Sequence, residues 1–223
     1  MVHQTFGAYH FGASRRLSKE TLSALVSVFQ EKESDPASPL EGRRPVSRLY
    51  LPQIGPVVVK HYRRGGWVAR INPKYYLRTG KTRCQVEFEQ MARAGRLGVN
   101  VPEPVTFAFK GRFLYQGWLI TREIANQQTL ARLSLQAPGR LPAVQASLGR
   151  QVSKLAADGL WHVDLHPGNV LVDDRDRVFL VDFDKTRTFR GVKQQLLDKY
   201  RRRWRRAVKK HKLPKELMTA LDD

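Results

Sequence analysis

Three oxygen-bearing side chains have a spacing that suits the handling of phosphate groups and a metal ion. Asp164 precedes Asn169 by five residues in the segment His162–Asn169, and Asp182 follows two short apolar runs that would form a hairpin. At this separation the first carboxylate can face a substrate hydroxyl while the amide turns back to a metal. The second carboxylate, at the end of the hairpin, can chelate the same ion. Such hard oxygen ligands, together with nucleotide phosphates, suit Mg²⁺. The pattern predicts phosphoryl transfer with Asp164 as the catalytic residue and Asn169 and Asp182 as metal ligands.

The same segment has a structural alternative, because Asp, Pro, Gly and Asn are also the residues of ordinary turns. The carboxylate of Asp182 at hairpin distance favours the catalytic interpretation. His162 is predicted to be architectural, buried and hydrogen-bonded to the backbone near Asp182. For His166, contact with the substrate and a structural role both remain open.

Apolar periodicity and breaker residues indicate the elements that position these groups. After Ile124 the pattern becomes mostly helical, whereas residues 1–17 have no clear period and are expected to be loosely ordered. The order of elements predicts an α+β protein with an extension at 1–41, a sheet domain at 42–123 and a helical domain at 124–223. The individual predictions are helices at Ser18–Gln30, Val86–Leu97 and around Val144–Leu155, and strands at Val46–Leu51, Val57–Tyr62, Val105–Lys110 and Phe113–Thr121.

Charge is the outstanding global property of the 223 residues. Forty Lys and Arg face 20 Asp and Glu, which gives a net charge of +20. Such a field favours polyanionic partners: nucleic acid, anionic lipid head groups or phosphorylated glycans. The single cysteine, Cys84, excludes an intramolecular disulfide and fits a reducing compartment. No apolar run is long enough to span a bilayer, and Met1–Gly12 has no apolar signal core, so a cytosolic protein with peripheral membrane binding is expected.

A basic segment follows near the C-terminus. Residues 199–212 contain nine Lys or Arg and no acid, while Leu197, Tyr200, Trp204 and Val208 recur at helical steps. A basic helix with an aromatic stripe is typical of binding to an anionic membrane surface. The alternative is that the stripe packs on the helical domain and the charges are only solvated.

Beyond these patterns, His162–Asn169 followed by Asp182-Phe183-Asp184 resembles the protein-kinase-like superfamily of aminoglycoside phosphotransferases, RIO kinases and lipopolysaccharide kinases. Val57–Gly66, Glu87–Glu89 and Gly98–Pro104 resemble the lipopolysaccharide core kinases, above all the 3-deoxy-D-manno-octulosonic acid (Kdo) kinase group. The resemblance covers roughly residues 42–191. It implies a two-lobed kinase-like fold, with the N-lobe at 42–123 and a reduced C-lobe after it, since no Ala-Pro-Glu follows Asp182.

The resemblance also implies nucleotide contacts. Lys60 would contact the α- and β-phosphates of ATP, and Glu87 would be its partner, with Glu89 as the alternative. The backbone of Thr121–Ile124, including Glu123, would meet the adenine of an ATP·Mg²⁺ complex held between the lobes. The spaced glycines of a protein-kinase phosphate loop are absent, and only Gly42 precedes Arg43-Arg44-Pro45, so the phosphate-loop contacts stay unassigned.

The function implied is phosphorylation of a sugar, with Kdo expected, in the lipopolysaccharide inner core. The acceptor would be lipid A–Kdo, met at the inner face of the bacterial inner membrane, with Arg63, Arg64 and the basic tail holding the anionic acceptor. Nucleic acid is not expected as a partner. The alternatives are a RIO-like or aminoglycoside-type kinase and a non-catalytic polyanion-binding protein that retains a kinase fold.

Overall fold

The structure is a computed structural model that describes residues 1–30, 46–62 and 75–222. Helices and antiparallel sheets occur together, which confirms the α+β class. The expectations for Gly42–Pro45 and for Arg63–Gly66 lie outside the described residues. The chain divides into two compact units, the first made of Met1–Glu89 with Glu103–Glu123 and the second of Gln90–Pro102 with Ile124–Asp223.

The first unit is built on one antiparallel sheet. The strand order in the sheet is β1-β2-β6-β7-β4-β3, and β5 pairs with the start of β7. The elements in chain order are β1 (Val2–Phe6), β2 (Tyr9–Ala13), α1 (Lys19–Gln30), β3 (Val46–Leu51), β4 (Gly55–His61), β5 (Tyr76–Leu77), α2 (Arg83–Arg96, which continues into the second unit), β6 (Pro104–Lys110) and β7 (Leu114–Arg122).

The expectation that residues 1–17 are loosely ordered is wrong. β1 and β2 form a hairpin, and β2 pairs with β6 so that Phe11 lies opposite Ala108. Residues 1–30 therefore belong to the sheet unit and are not a separate extension. The sequence does not show the alternation of apolar and polar residues that marks a strand, because β1 is largely exposed and Gly12 interrupts β2. The ring of Phe107 lies across Gly12, where a Cβ atom would come within 2.4 Å of it.

Helix α1 begins as predicted and forms a core with the sheet. Ser18 caps it, accepting a hydrogen bond from the Thr21 amide at 3.2 Å. Leu22 and Leu25 are buried in the same cluster as residues of β2, β4 and β7. Phe29 stacks on Trp118, with ring centroids 4.5 Å apart. The helix thus supports β4 and β7, the strands that lead to the nucleotide-binding candidates.

Helix α2 begins one turn earlier than the sequence predicts, because Thr82 caps it through a hydrogen bond from the Gln85 amide at 3.4 Å. The first turn lies close to β7. A Cβ atom on Gly117 would be 3.0 Å from the Sγ of Cys84, so glycine permits this approach. Burial raises the pKa of the Cys84 thiol to about 12, so the thiol stays protonated and its role is packing.

The second unit is mainly helical with two small sheets, ordered β11-β10-β8 and β12-β9. Val144, Leu148, Val152 and Leu155 form the buried face of α4, as the sequence predicts. No described helix is long and apolar enough to cross a membrane. The elements are β8 (Gln128–Thr129), α3 (Leu130–Gln136), α4 (Leu141–Ala157), β9 (Leu160–Trp161), β10 (Val170–Val172), β11 (Val178–Leu180), β12 (Arg187–Thr188) and α5 (Lys193–Lys210), with short 3₁₀ turns at Pro138–Arg140, Pro167–Asn169, Phe183–Lys185 and Lys215–Thr219.

Candidate active site

In the first unit, Lys60 and Glu87 form a close ion pair. Lys60 is the next-to-last residue of β4, and Glu87 lies in the second turn of α2. The Lys60 Nζ atom is 2.9 Å from both carboxylate oxygens of Glu87. The Glu87 side chain is only 2% exposed, whereas that of Lys60 is 25% exposed. The buried carboxylate therefore holds an ammonium group that still reaches the surface of the unit, where it can bind a phosphate.

Tyr62 is a third member of this group that the sequence interpretation gave no role. Its hydroxyl donates a hydrogen bond to Glu87, its ring is buried, and its amide donates to the Gly117 carbonyl at 2.9 Å. The Lys60 ammonium lies 5.2 Å from the centre of the same ring, within the range of a cation–π contact. Tyr62 thus fixes both partners of the ion pair. Its position two residues after Lys60, on the same face of an extended chain, was the available signal.

The alternative partner, Glu89, is oriented elsewhere. Its carboxylate accepts hydrogen bonds from Lys81 at 2.7 Å and from Gln85 at 3.1 Å. Residues two apart on a helix point in different directions, so only one of the two glutamates can face β4. The structure pairs Lys60 with Glu87.

Glu123 is the last residue of the first unit along the chain and has two fixed contacts. Its carboxylate pairs with Arg48 at 2.7 Å, and its amide donates to the Pro56 carbonyl at 3.0 Å. Proline has no amide proton, so Pro56 cannot return the second hydrogen bond of an antiparallel pair. The Glu123 carbonyl therefore lacks the amide partner that a residue other than proline would offer at position 56.

In the second unit, the start of the loop His162–Asn169 is anchored by His162 itself and by Tyr200, both of which are buried. The ring Nε2 of His162 is 3.0 Å from the Val181 carbonyl, and the ring packs edge-on against Phe183. This confirms the architectural role predicted for His162. Burial lowers the pKa of His162, so the neutral ring is favoured and donates from Nε2. The His162 amide donates at 2.8 Å to the hydroxyl of Tyr200, which in turn donates to the Leu160 carbonyl at 2.6 Å.

The loop brings Asp164 and Asn169 together. The Asn169 side-chain amide donates to the Asp164 carbonyl at 3.0 Å, so the side chain folds back over the loop. Its Oδ1 atom accepts no hydrogen bond within the described ranges and is available as a metal ligand. The Val181 amide donates to the Asn169 carbonyl at 3.1 Å. Since Val181 directly precedes Asp182, this bond places the two candidate metal ligands on neighbouring backbone segments.

Asp182 has a left-handed backbone conformation, with φ 67° and ψ 59°. A non-glycine residue in this conformation costs on the order of 1 kcal/mol and persists where the surroundings impose it. Here both neighbours are fixed: Val181 is bonded to Asn169 and His162, and Phe183 is fully buried. Because of this turn, the alternation of side chains along the preceding strand does not set the direction of the Asp182 carboxylate.

Two cations contact Asp164, and neither was assigned to it from the sequence. Arg203, on α5, donates to Oδ1 through Nη2, and Lys185 Nζ is 3.2 Å from Oδ2. The Asp164 side chain remains 25% exposed. Arg203 was counted only as part of the basic tail, because 39 residues separate it from Asp164.

The aromatic stripe of α5 packs inside the second unit. Tyr200, Trp204 and Val208 are at most 1% exposed, and the Trp204 indole donates to the Leu217 carbonyl at 2.6 Å. The buried residue at the start of the stripe is Leu196, so the expectation for Leu197 is wrong by one position. These side chains therefore cannot insert into a lipid surface. The exposed cations of the same helix are Lys193, Arg202, Arg205, Arg206, Lys209 and Lys210.

Comparison with known proteins gives a consistent family assignment. The profile of the lipopolysaccharide kinase (Kdo/WaaP) family matches residues 27–213 of the chain. A 3-deoxy-D-manno-octulosonic acid kinase of Vibrio vulnificus is 29% identical over 194 residues, which cover 85% of this chain and 81% of that protein. The kinase of the same name from Vibrio parahaemolyticus is 35% identical over 133 residues, 58% of this chain and 55% of that protein. The one from Photobacterium profundum is 38% identical over 140 residues, 61% and 58% of the two chains. These last two alignments span little more than half the length of each relative.

Proposed function

The chain belongs to the lipopolysaccharide kinase (Kdo/WaaP) family and is therefore a phosphotransferase, and from this premise we propose that it phosphorylates a Kdo sugar of the lipopolysaccharide inner core. Relatives that bear the name of a Kdo kinase support the choice of sugar. They favour this acceptor over those of RIO-like or aminoglycoside-type kinases. We propose further that the two units are the lobes of a kinase-like fold with a reduced C-lobe.

The observation that carries the proposal is the loop that joins Asp164 to Asn169 and fixes the backbone before Asp182. In the proposed reaction Asp164 orients a sugar hydroxyl and accepts its proton as the hydroxyl oxygen attacks the γ-phosphorus of ATP, whose bond to the β,γ-bridging oxygen breaks so that ADP leaves. Lys60, held by Glu87, binds the α- and β-phosphates. The Glu123 carbonyl accepts a hydrogen bond from the adenine amino group.

Asn169 Oδ1 and the Asp182 carboxylate would hold Mg²⁺, which fits their hard oxygen donors and the fixed backbone between them. When bound, the ion neutralises the charge of the transferred phosphoryl group. The protein residues do the remaining work, which is positioning and charge stabilisation.

We also propose that the exposed cations of α5 bring the protein to the anionic inner face of the bacterial inner membrane. Each Lys or Arg near such a surface contributes about 1 kcal/mol, within a Debye length of the lipid. Because the aromatic stripe is buried, this attraction would be electrostatic and weakened by salt. Co-sedimentation with anionic and neutral vesicles at rising salt concentration would measure it.

The experiment that tests the kinase proposal is phosphate transfer from ATP to purified lipid A–Kdo, followed by mass spectrometry of the acceptor. Asp164→Asn should lower kcat by about 10²- to 10⁴-fold, the usual contribution of a general base. Asp174→Asn is the matched control, since Asp174 is exposed and bonded to Asn126, outside the loop. Equal transfer by wild type and Asp164→Asn would refute the role of Asp164. Thermal stabilisation by ATP that requires Mg²⁺ would separate a kinase from a non-catalytic polyanion binder.

A further inference from the structure

Lys185 and Arg203 contact Asp164, His166 lies close to them, and His211 stacks on His166; these four basic side chains are here called the basic cluster. Arg203 and Lys185 bond directly to the carboxylate. The rings of His166 and His211 stack, with centroids 6.2 Å apart and planes 26° apart. Burial lowers the pKa of His166, and the charges of Asp164, Arg203 and His211 act on the same ring. Arg203 and Lys185 place two permanent cations on the Asp164 carboxylate, and the charge of Asp182 also acts on His166.

Much of the hydrogen-bonding capacity of the cluster is unused. Arg203 bonds to Asp164 through its Nη2 group, and its side chain is 40% exposed. Lys185 makes one bond and its side chain is 62% exposed. In His166, Nδ1 accepts from the Gly168 amide at 3.1 Å, so the neutral ring carries its proton on Nε2. That Nε2–H donates to no described residue.

The cluster is also held in place. Arg203 lies directly before Trp204 and three residues after Tyr200, both buried and bonded to backbone carbonyls. His166 is fixed by its bond to the Gly168 amide. Fixed donors that face a reacting group lose little entropy when they bind, which is how a recognition site differs from a solvated surface charge.

We propose that the basic cluster, with Arg203 at its centre, binds the carboxylate of the acceptor sugar while Asp164 receives the hydroxyl. This inference rests on the proposed function, since Kdo is a sugar acid with its carboxylate and hydroxyls on one ring. The planar guanidinium of arginine matches a carboxylate, and the Arg203 side chain beside Asp164 is 40% exposed. The carboxylate of the acid would add a negative charge beside the two cations that contact Asp164. The Arg203 side chain would thus contact both the Asp164 carboxylate and the carboxylate of the acceptor sugar.

The test compares lipid A–Kdo with the same acceptor after methyl esterification of the Kdo carboxylate. A charge-assisted pair should give wild type a preference for the acid, in kcat/KM, on the order of tenfold to a hundredfold. Arg203→Gln and Lys185→Met should bring the ratio towards one, with Arg203→Lys in between. Because the ratio compares two acceptors on one enzyme, damage to Asp164 cancels. Arg150→Gln, on an exposed position of α4, is the matched control and should retain the full preference.

Binding provides a second measurement that does not need turnover. Free Kdo should raise the thermal midpoint of wild type more than its methyl ester does, and Arg203→Gln should lose this difference. A preference that survives in both Arg203→Gln and Lys185→Met, or equal use of acid and ester by wild type, would overturn the carboxylate site. The carboxylate site would also be overturned if the preference for the acid disappeared when the phosphates of lipid A were removed. If no Kdo acceptor is phosphorylated, the proposed function fails, and the selective binding of the acid still decides the site.

Discussion

Replacing Tyr200 by phenylalanine is expected to loosen the loop His162–Asn169 without changing any charge. The Tyr200 hydroxyl accepts a hydrogen bond from the His162 amide and donates one to the Leu160 carbonyl. The side chain is 1% exposed, so water cannot replace the lost oxygen. Burial also raises the pKa of the Tyr200 phenol, which keeps the donor protonated.

The expected loss of stability follows from the two backbone groups that bond to the Tyr200 hydroxyl, the His162 amide and the Leu160 carbonyl. An unsatisfied buried amide costs about 1–3 kcal/mol, and the weakened carbonyl contact adds about 0.5–1.5 kcal/mol. We expect a loss of about 3 kcal/mol in the free energy of unfolding of the protein. For a protein of this size that corresponds to a fall of roughly 6–12 °C in the melting temperature. Since His162 starts the loop that carries Asp164, kcat should also fall several-fold.

Scanning calorimetry and the kinase assay measure the two effects on the same preparation. Tyr50→Phe is the control: Tyr50 is 71% exposed, and its substitution should change the free energy of unfolding by less than about 0.5 kcal/mol. If Tyr200→Phe melts within 2 °C of wild type, about the effect of 1 kcal/mol, the two hydrogen bonds do not anchor the loop and the reasoning is wrong.

Two further predictions concern the remaining anchors of the site. Glu87→Gln should raise the KM for ATP and lower kcat/KM tenfold or more, because the strand lysine loses its buried carboxylate; Glu89→Gln should leave both nearly unchanged. Equal effects of the two substitutions would contradict the observed pairing. Burial lowers the pKa of His162 from 6.5, so the unfolded chain takes up a proton that the folded chain excludes as the pH falls below 6.5. The free energy of unfolding should therefore fall between pH 7 and pH 5, and His162→Gln, measured by urea denaturation at both pH values, should lose less. An unchanged pH dependence in that variant would exclude His162 as the titrating group.

Local patterns predicted most of the elements because their signals lie within single helices and strands. Val46–Leu51 is a strand with the predicted bounds, and α1 starts after the predicted cap at Ser18. The errors occurred where the hydrophobic pattern did not distinguish buried from exposed positions. β1 is an exposed edge strand without alternation, and on α5 the adjacent leucines 196 and 197 gave no basis for choosing the buried one.

The sequence by itself determined the chemical groups of the site, because Asp164, Asn169 and Asp182 lie in one loop and the hairpin that follows it, where spacing along the chain sets their positions. Only the tertiary structure decided which groups support these residues and the Lys60–Glu87 pair. The bonds from Tyr62 to Glu87, Tyr200 to His162 and Arg203 to Asp164 join residues 25, 38 and 39 positions apart. Such contacts depend on which faces of separate elements pack together, and no local period of the sequence specifies that choice.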